Sequence, residues 1–137
     1  MSPDARRSWL GVALLVGAAY FLVGRAFAAP ATHVHAWRLA AWLVSAAIFA
    51  AHVGYEHLRL GSVPRRLALH TALAAAMGAL ALAVAGAIHS LGAGSGLRPA
   101  WLLAFVAWPL VTGVPAFLVA LGAAMALPRG NRRPAGT

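Results

Sequence analysis

Four long apolar runs occupy almost the whole chain, and each is roughly 20 residues long or longer, the length that a helix needs to cross the hydrocarbon core of a bilayer. In hydrocarbon every backbone polar group must be hydrogen-bonded within the protein, so isolated apolar runs of this length cross as helices. The pattern therefore predicts transmembrane helices at about residues 9–29, 37–56, 66–89 and 100–127.

The composition agrees with a membrane protein. Hydrophobic residues make up 62% of the chain and charged residues only 9%, which is too few to coat a soluble domain of this size. We expect an all-α, integral membrane four-helix bundle, up-down antiparallel with short connections. It should form a single transmembrane domain over residues 1–137, with a disordered basic tail at 128–137.

The charge is strongly positive but has a membrane explanation. A net charge of +9 arises because only Asp4 and Glu56 oppose the arginines. In a soluble protein this balance would suggest nucleic acid. Here the arginines lie at helix ends and in connections, where they set topology and contact anionic headgroups. We therefore expect the lipid bilayer as a partner, and no nucleic acid.

The distribution of arginines predicts the orientation. The N-terminal segment, the second connection and the tail hold eight arginines, against three on the other side. The positive-inside rule then places both termini in the cytoplasm of a multi-pass protein of the inner (plasma) membrane. A cleaved signal ending near Ala26-Phe27-Ala28 is the alternative. We favour a retained first helix, because the run is long for a signal and Arg25 interrupts the approach to the cleavage site.

The second helix carries the most informative pattern, which we call the polar stripe. Its members are separated by alternating steps of four and three and so share one helix face: Arg38, Trp42, Ser45, Phe49, His52, Glu56 and Arg59. Polar groups that face lipid are costly, so this face should point into the bundle. Across a tight connection, His70 should approach His52 and Glu56 from the third helix.

Three interpretations of this cluster remain open. In the first, Glu56 pairs with arginine or histidine in a structural network drawn from Arg38, Ser45, His52, Glu56, Arg59 and Arg66. In the second, His52 and His70 hold b-type haem between facing helices. In the third, His52, Glu56 and His70 form a divalent metal site, or Glu56 titrates in a small proton-coupled transporter. We favour the first, without a cofactor.

The third helix should lie at the centre of the bundle. Alanines recur every four residues at Ala75, Ala79, Ala83 and Ala87, and small side chains let membrane helices approach closely. Catalytic patterns are missing, since two acids and no cysteine cannot build the usual triads or thiolate sites. We therefore expect a non-enzymatic protein, a subunit or scaffold of a larger membrane assembly or a homo-oligomer.

Overall fold

The predicted four-helix architecture is confirmed. The computed structural model describes residues 3–28, 32–94, 96 and 99–127, with side chains from residue 9 onward, and these residues form helices and no strand. The helices are α1 (Pro3–Ala26), α2 (Val34–Leu58), α3 (Pro64–Gly92) and α4 (Pro99–Ala126). The predicted disordered tail at 128–137 lies outside the described residues.

All four helices begin before the apolar runs that predict them, and α2 and α3 also end later. α1 begins at Pro3 rather than near residue 9, and α2 begins at Val34 rather than near residue 37. α3 begins at Pro64 and continues to Gly92, past both predicted ends. Hydropathy marks only the part of a helix that lies in hydrocarbon, whereas backbone hydrogen bonds continue into polar turns. Proline also suits a first helical position, because its missing N–H would have no partner there.

All four helices are long and apolar enough to cross a membrane, so the protein is a multi-pass membrane protein. Large apolar side chains cover the outer surface; Leu15, Leu103 and Met125, for example, are each at least 69% exposed. In water such a surface would drive aggregation, whereas in a bilayer the acyl chains cover it.

α3 lies at the centre of the bundle, as its alanine pattern predicts. It packs most extensively against α4, next against α1, and also contacts α2. Ala83 and Ala87 are both 4% exposed. At the crossing with α1, a Cβ added to Gly78 would lie 2.6 Å from Tyr20 Cβ and 3.0 Å from the carbonyl oxygen of Gly17. Only glycine permits this approach of the two backbones.

α2 is held unequally along its length. Near its C-terminal end Val53 packs with Leu67 and Ala68 of α3 and with Ala120 and Ala124 of α4 in an apolar cluster. Further towards the N-terminus Ile48 packs beside the apolar cluster of α1 and α3 and Trp37 makes an edge-on ring contact with Phe27, but the N-terminal half of α2 is largely exposed. We call the two ends of the bundle the Glu56 end and the Arg38 end.

Candidate functional site

The connection between α2 and α3 is short and folds back on Glu56. α2 ends at Leu58 and α3 begins at Pro64. The backbone N–H of Ser62 donates to the backbone carbonyl oxygen of Glu56 at 3.3 Å. Gly61 has a φ of 55°, a left-handed conformation that glycine adopts without a steric penalty. The turn therefore brings the first residues of α3 beside the last turns of α2.

Glu56 has both carboxylate oxygens hydrogen-bonded within the protein. Its side chain is 0% exposed. His70 Nδ1 lies 2.9 Å from Oε1 and is the donor to that oxygen, and the Ser62 hydroxyl donates to Oε2 at 2.8 Å. A buried carboxylate without such partners would lose its hydration without compensation. Hydrogen bonds to an ionised acceptor are about twice as strong as neutral ones, so these two offset much of that cost.

His70 is fixed a second time by Trp9. The indole of Trp9 and the imidazole of His70 are stacked, with ring centroids 4.2 Å apart and planes 2° from parallel. This contact brings α1 into the same cluster, so side chains of α1, α2, α3 and the α2–α3 connection meet at one point. We call Trp9, His52, Glu56, Ser62 and His70 the Glu56 cluster.

His52 lies in the cluster without a hydrogen bond. It is 2% exposed, and its Nε2 is 3.9 Å from Glu56 Oε1, beyond hydrogen-bond distance. Within the described part of the chain neither ring nitrogen has a partner. The indole Nε1 of Trp9 is likewise buried without a partner among the described residues. Burying unpaired polar atoms lowers stability, and His52 carries two of the three that the cluster leaves uncompensated.

The structure places the residues of the predicted network at two different depths along α2. The structure brings His52, Glu56 and His70 together, as predicted. Arg59 and Arg66 are exposed at the rim of the cluster. Arg38 and Ser45 lie near the other end of α2, several turns away, and so take no part in the Glu56 cluster. Helical periodicity groups residues by face but cannot group them by depth.

Two members of the cluster escaped the sequence analysis. Ser62 lies in the α2–α3 connection, and its residue type predicts only a polar surface position. The turn nevertheless brings its hydroxyl within hydrogen-bond distance of the Glu56 carboxylate, six residues earlier in the chain. Trp9 lies at the edge of an apolar run, where tryptophan is typical of the membrane interface. No sequence signal pairs Trp9 with His70, because the two are distant along the chain.

The other half of the polar stripe lines a cavity of about 720 Å³. All four helices contribute to its wall, with Tyr20 from α1, Ala79 from α3 and Thr112 from α4, and Phe27 joins it from just beyond the end of α1. From α2 it takes stripe residues: Arg38, Trp42, Ser45 and Phe49. The stripe from Arg38 to Glu56 therefore lies on the side of the bundle, buried at His52 and Glu56 and lining this cavity towards Arg38, whereas Arg59 is exposed and Trp42 keeps 70% of its surface exposed.

Among the described residues, three polar side chains that line this cavity have no recorded partner. The structure records no hydrogen bond or ion pair for the side chains of Tyr20, Arg38 or Ser45 within the described residues. The Thr112 hydroxyl is occupied, since it donates to the carbonyl oxygen of Trp108 at 2.8 Å. Arg38 thus places a cationic group beside a largely apolar space, with no carboxylate of the described residues near it.

The geometry adds no support to the haem and metal interpretations. His70 already uses Nδ1 for Glu56 and one ring face for Trp9. Neither His52 nor His70 lines the 720 Å³ cavity, the space large enough for an organic ligand. Among the described residues, no group of three or more potential ligands is arranged to hold a metal ion. Both interpretations stay predictions, as does the titration of Glu56 in a transporter.

We compared the chain with protein-family models, with curated proteins and with solved structures, and none matches it. Its function has to be inferred from the arrangement of its own residues.

Proposed function

We propose that the protein is a non-enzymatic inner-membrane component that works as a subunit or scaffold, joined to a second transmembrane helix in a larger assembly or a homo-oligomer. The observation that carries this proposal is the outward face of α2. This face is built from small residues that nothing in the described part of the chain covers: Ala47, Ala50, Ala51 and Gly54.

The small-residue face points away from the bundle. Successive helical residues are turned by about 100°, so Gly54 lies about 200° around α2 from Glu56, on the side opposite the polar stripe. Ala47, Ala50 and Ala51 are exposed, and a Cβ added to Gly54 would meet no atom within 4 Å. Ala47 and Ala51, like Ala50 and Gly54, are spaced four residues apart, the spacing at which membrane helices pack closely.

Small residues that are covered by a neighbouring helix allow close packing elsewhere in this protein. At the crossing of α1 and α3, Gly17 and Gly78 bring two backbones into contact. Glycine weakens a helix unless close packing compensates, because it adds conformational freedom to the unfolded chain. Gly54 has no such compensation from its own chain, which supports a partner helix on this face.

Replacing Gly54 with leucine tests the proposal. The side chain would meet open space in the single chain, so folding should be unchanged, while a partner helix could no longer approach closely. Energy transfer between donor- and acceptor-labelled copies in lipid vesicles should report association about tenfold weaker, the effect of ~1.4 kcal/mol of lost packing. Gly122→Leu is the matched control, because Gly122 on α4 is equally uncovered but has Leu118 one turn away.

Two results would contradict the proposal. One is equal association of the wild type, Gly54→Leu and Gly122→Leu in vesicles. The other result applies if labelled copies do not associate at all. In that case, cross-linking to lipid alone by a photo-reactive residue at position 51 in native membranes would contradict the proposal. A discrete protein adduct at 51, absent from an equivalent probe at Leu118, would instead identify a different subunit as the partner.

The proposed orientation places both termini in the cytoplasm. It is supported by the excess of arginines in the N-terminal segment, the α2–α3 connection and the tail, eight against three. In this orientation the Glu56 end lies at the cytoplasmic boundary and the Arg38 end at the outer one.

A further inference from the structure

The cavity between α2 and the other helices has the dimensions of a site for one hydrocarbon chain. Its volume of about 720 Å³ falls within the ~300–1,000 Å³ of small-molecule sites. Along α2 it runs from Arg38 to Phe49, which at 1.5 Å per residue is about 16 Å. That length matches about half of the ~30 Å hydrocarbon core, the depth of one leaflet.

The wall of the cavity suits an amphiphile. Aromatic and small apolar side chains form most of it, including Phe27, Phe49 and Ala79. Phe49 also packs against the apolar cluster of Val53 and Leu67, so the cavity has an apolar floor above the Glu56 end. Arg38 lies at the other end, in the second turn of α2, where the membrane surface is near.

The charge of the cavity selects the head group. Arg38 has no acidic partner among the described residues, and of the two acids in the whole chain Glu56 is bonded at the opposite end while Asp4 is near the start of α1. Guanidinium binds phosphate through paired, charge-assisted hydrogen bonds. Basic pockets between membrane helices bind anionic head groups in the same way.

We propose that this cavity binds one anionic phospholipid of the surrounding bilayer, with its phosphate at Arg38 and an acyl chain extending towards Phe49. Tyr20 and Ser45 line the cavity between these two points. This site lies on the stripe side of α2 and the proposed helix contact on the opposite side. The two proposals can therefore fail independently.

Native mass spectrometry of the full chain in mild detergent tests the site, with phosphatidylglycerol and phosphatidylcholine of identical acyl chains as probes. We expect one phosphatidylglycerol per chain, retained about tenfold more tightly than phosphatidylcholine, because the choline cation of the latter offsets the phosphate charge and is repelled by Arg38. Arg38→Gln should bring that ratio close to one. Arg59→Gln should leave it unchanged, because Arg59 is an exposed arginine of the same helix outside the cavity.

A second variant probes the chain-binding part without touching the charge. Ser45→Phe places a bulky ring in the cavity, so retention of both lipids should fall about tenfold while Arg38 is kept. Circular dichroism of each variant confirms that the helices are intact. If Arg38→Gln does not fold, the comparison of two lipids on the wild type and on Ser45→Phe still decides the question.

Three outcomes would overturn the inference. The first is equal retention of the two lipids by the wild type, which removes the role of charge. The second is equal loss in Arg38→Gln and Arg59→Gln, which indicates a general electrostatic attraction. The third is unchanged retention in Ser45→Phe, which places the lipid on the outer surface or leaves the cavity to a helix of another chain.

Discussion

At the scale of single residues, the Glu56 cluster contains one well-bonded and one poorly bonded side chain a single turn apart. Glu56 is fully buried with a partner on each oxygen, whereas His52 is buried with none among the described residues. Removing a partner from a satisfied buried group costs its desolvation, while replacing an unsatisfied polar group with an apolar one removes that cost. The two positions should therefore respond oppositely to substitution.

We predict that Glu56→Gln lowers the free energy of unfolding by about 1–2 kcal/mol, because it keeps the shape but weakens the bonds to His70 and Ser62. His52→Leu should raise it by about 1 kcal/mol, because two unpaired buried nitrogens are lost. Reversible unfolding in mixed detergent micelles, followed by circular dichroism, measures both.

Ser62→Ala serves as the control for the Glu56 variant, since it removes only one of the two bonds and should cost less. A destabilising His52→Leu would contradict the structural interpretation of the cluster. So would a Soret band in the wild-type absorption spectrum that His52→Leu abolishes, because it would make His52 a haem ligand.

At the scale of helices, glycine has two different roles that its position in the fold decides. Gly78 lies where α1 and α3 touch, and Gly122 lies on an open surface of α4. A methyl group at Gly78 would have to displace backbone and Cβ atoms rather than the end of a flexible side chain. The same methyl group at Gly122 would meet nothing within 4 Å.

Gly78→Ala should therefore destabilise the protein by about 1–3 kcal/mol, the usual cost of overpacking a close contact. Gly122→Ala should be neutral or stabilising by up to about 1 kcal/mol, because alanine favours the helix. The same micelle unfolding experiment compares the two. Equal effects would mean that α1 and α3 do not cross at Gly78.

The number of helices and the inward face of α2 are predictable from the sequence. The distances between helices and the contacts between individual side chains are not. Hydropathy predicted four helices, and the spacing of Arg38, Ser45 and Glu56 predicted which face of α2 looks inward. Periodicity gives a direction but no distance, so it did not predict that α2 stands away from its neighbours at Ser45. It also carries no information on pairs from separate helices, and the stacking of Trp9 on His70 was therefore missed.

At the scale of the whole molecule, orientation is the property with the simplest test. The excess of arginines predicts that reporters fused at Ser62 and at the C-terminus both indicate cytoplasm, while one at Ala93 indicates the outside. Reporter enzymes active on only one side of the membrane make the measurement. Opposite locations for Ser62 and the C-terminus would contradict an even number of crossings between them and the proposed orientation.

The unequal attachment of α2 gives this helix the mechanics of a lever. It is anchored by Glu56 and Val53 near one end, and Val34 at the other end lies 22 residues from Glu56, or about 33 Å at 1.5 Å per residue. Towards Val34 the helix keeps an edge-on ring contact between Trp37 and Phe27, with centroids 5.3 Å apart. A rotation of about 10° around the anchor would displace Val34 by about 6 Å, roughly one helical turn, and would have to break that contact. The width of the opening beside Arg38 is therefore set by small angular differences at the Glu56 cluster.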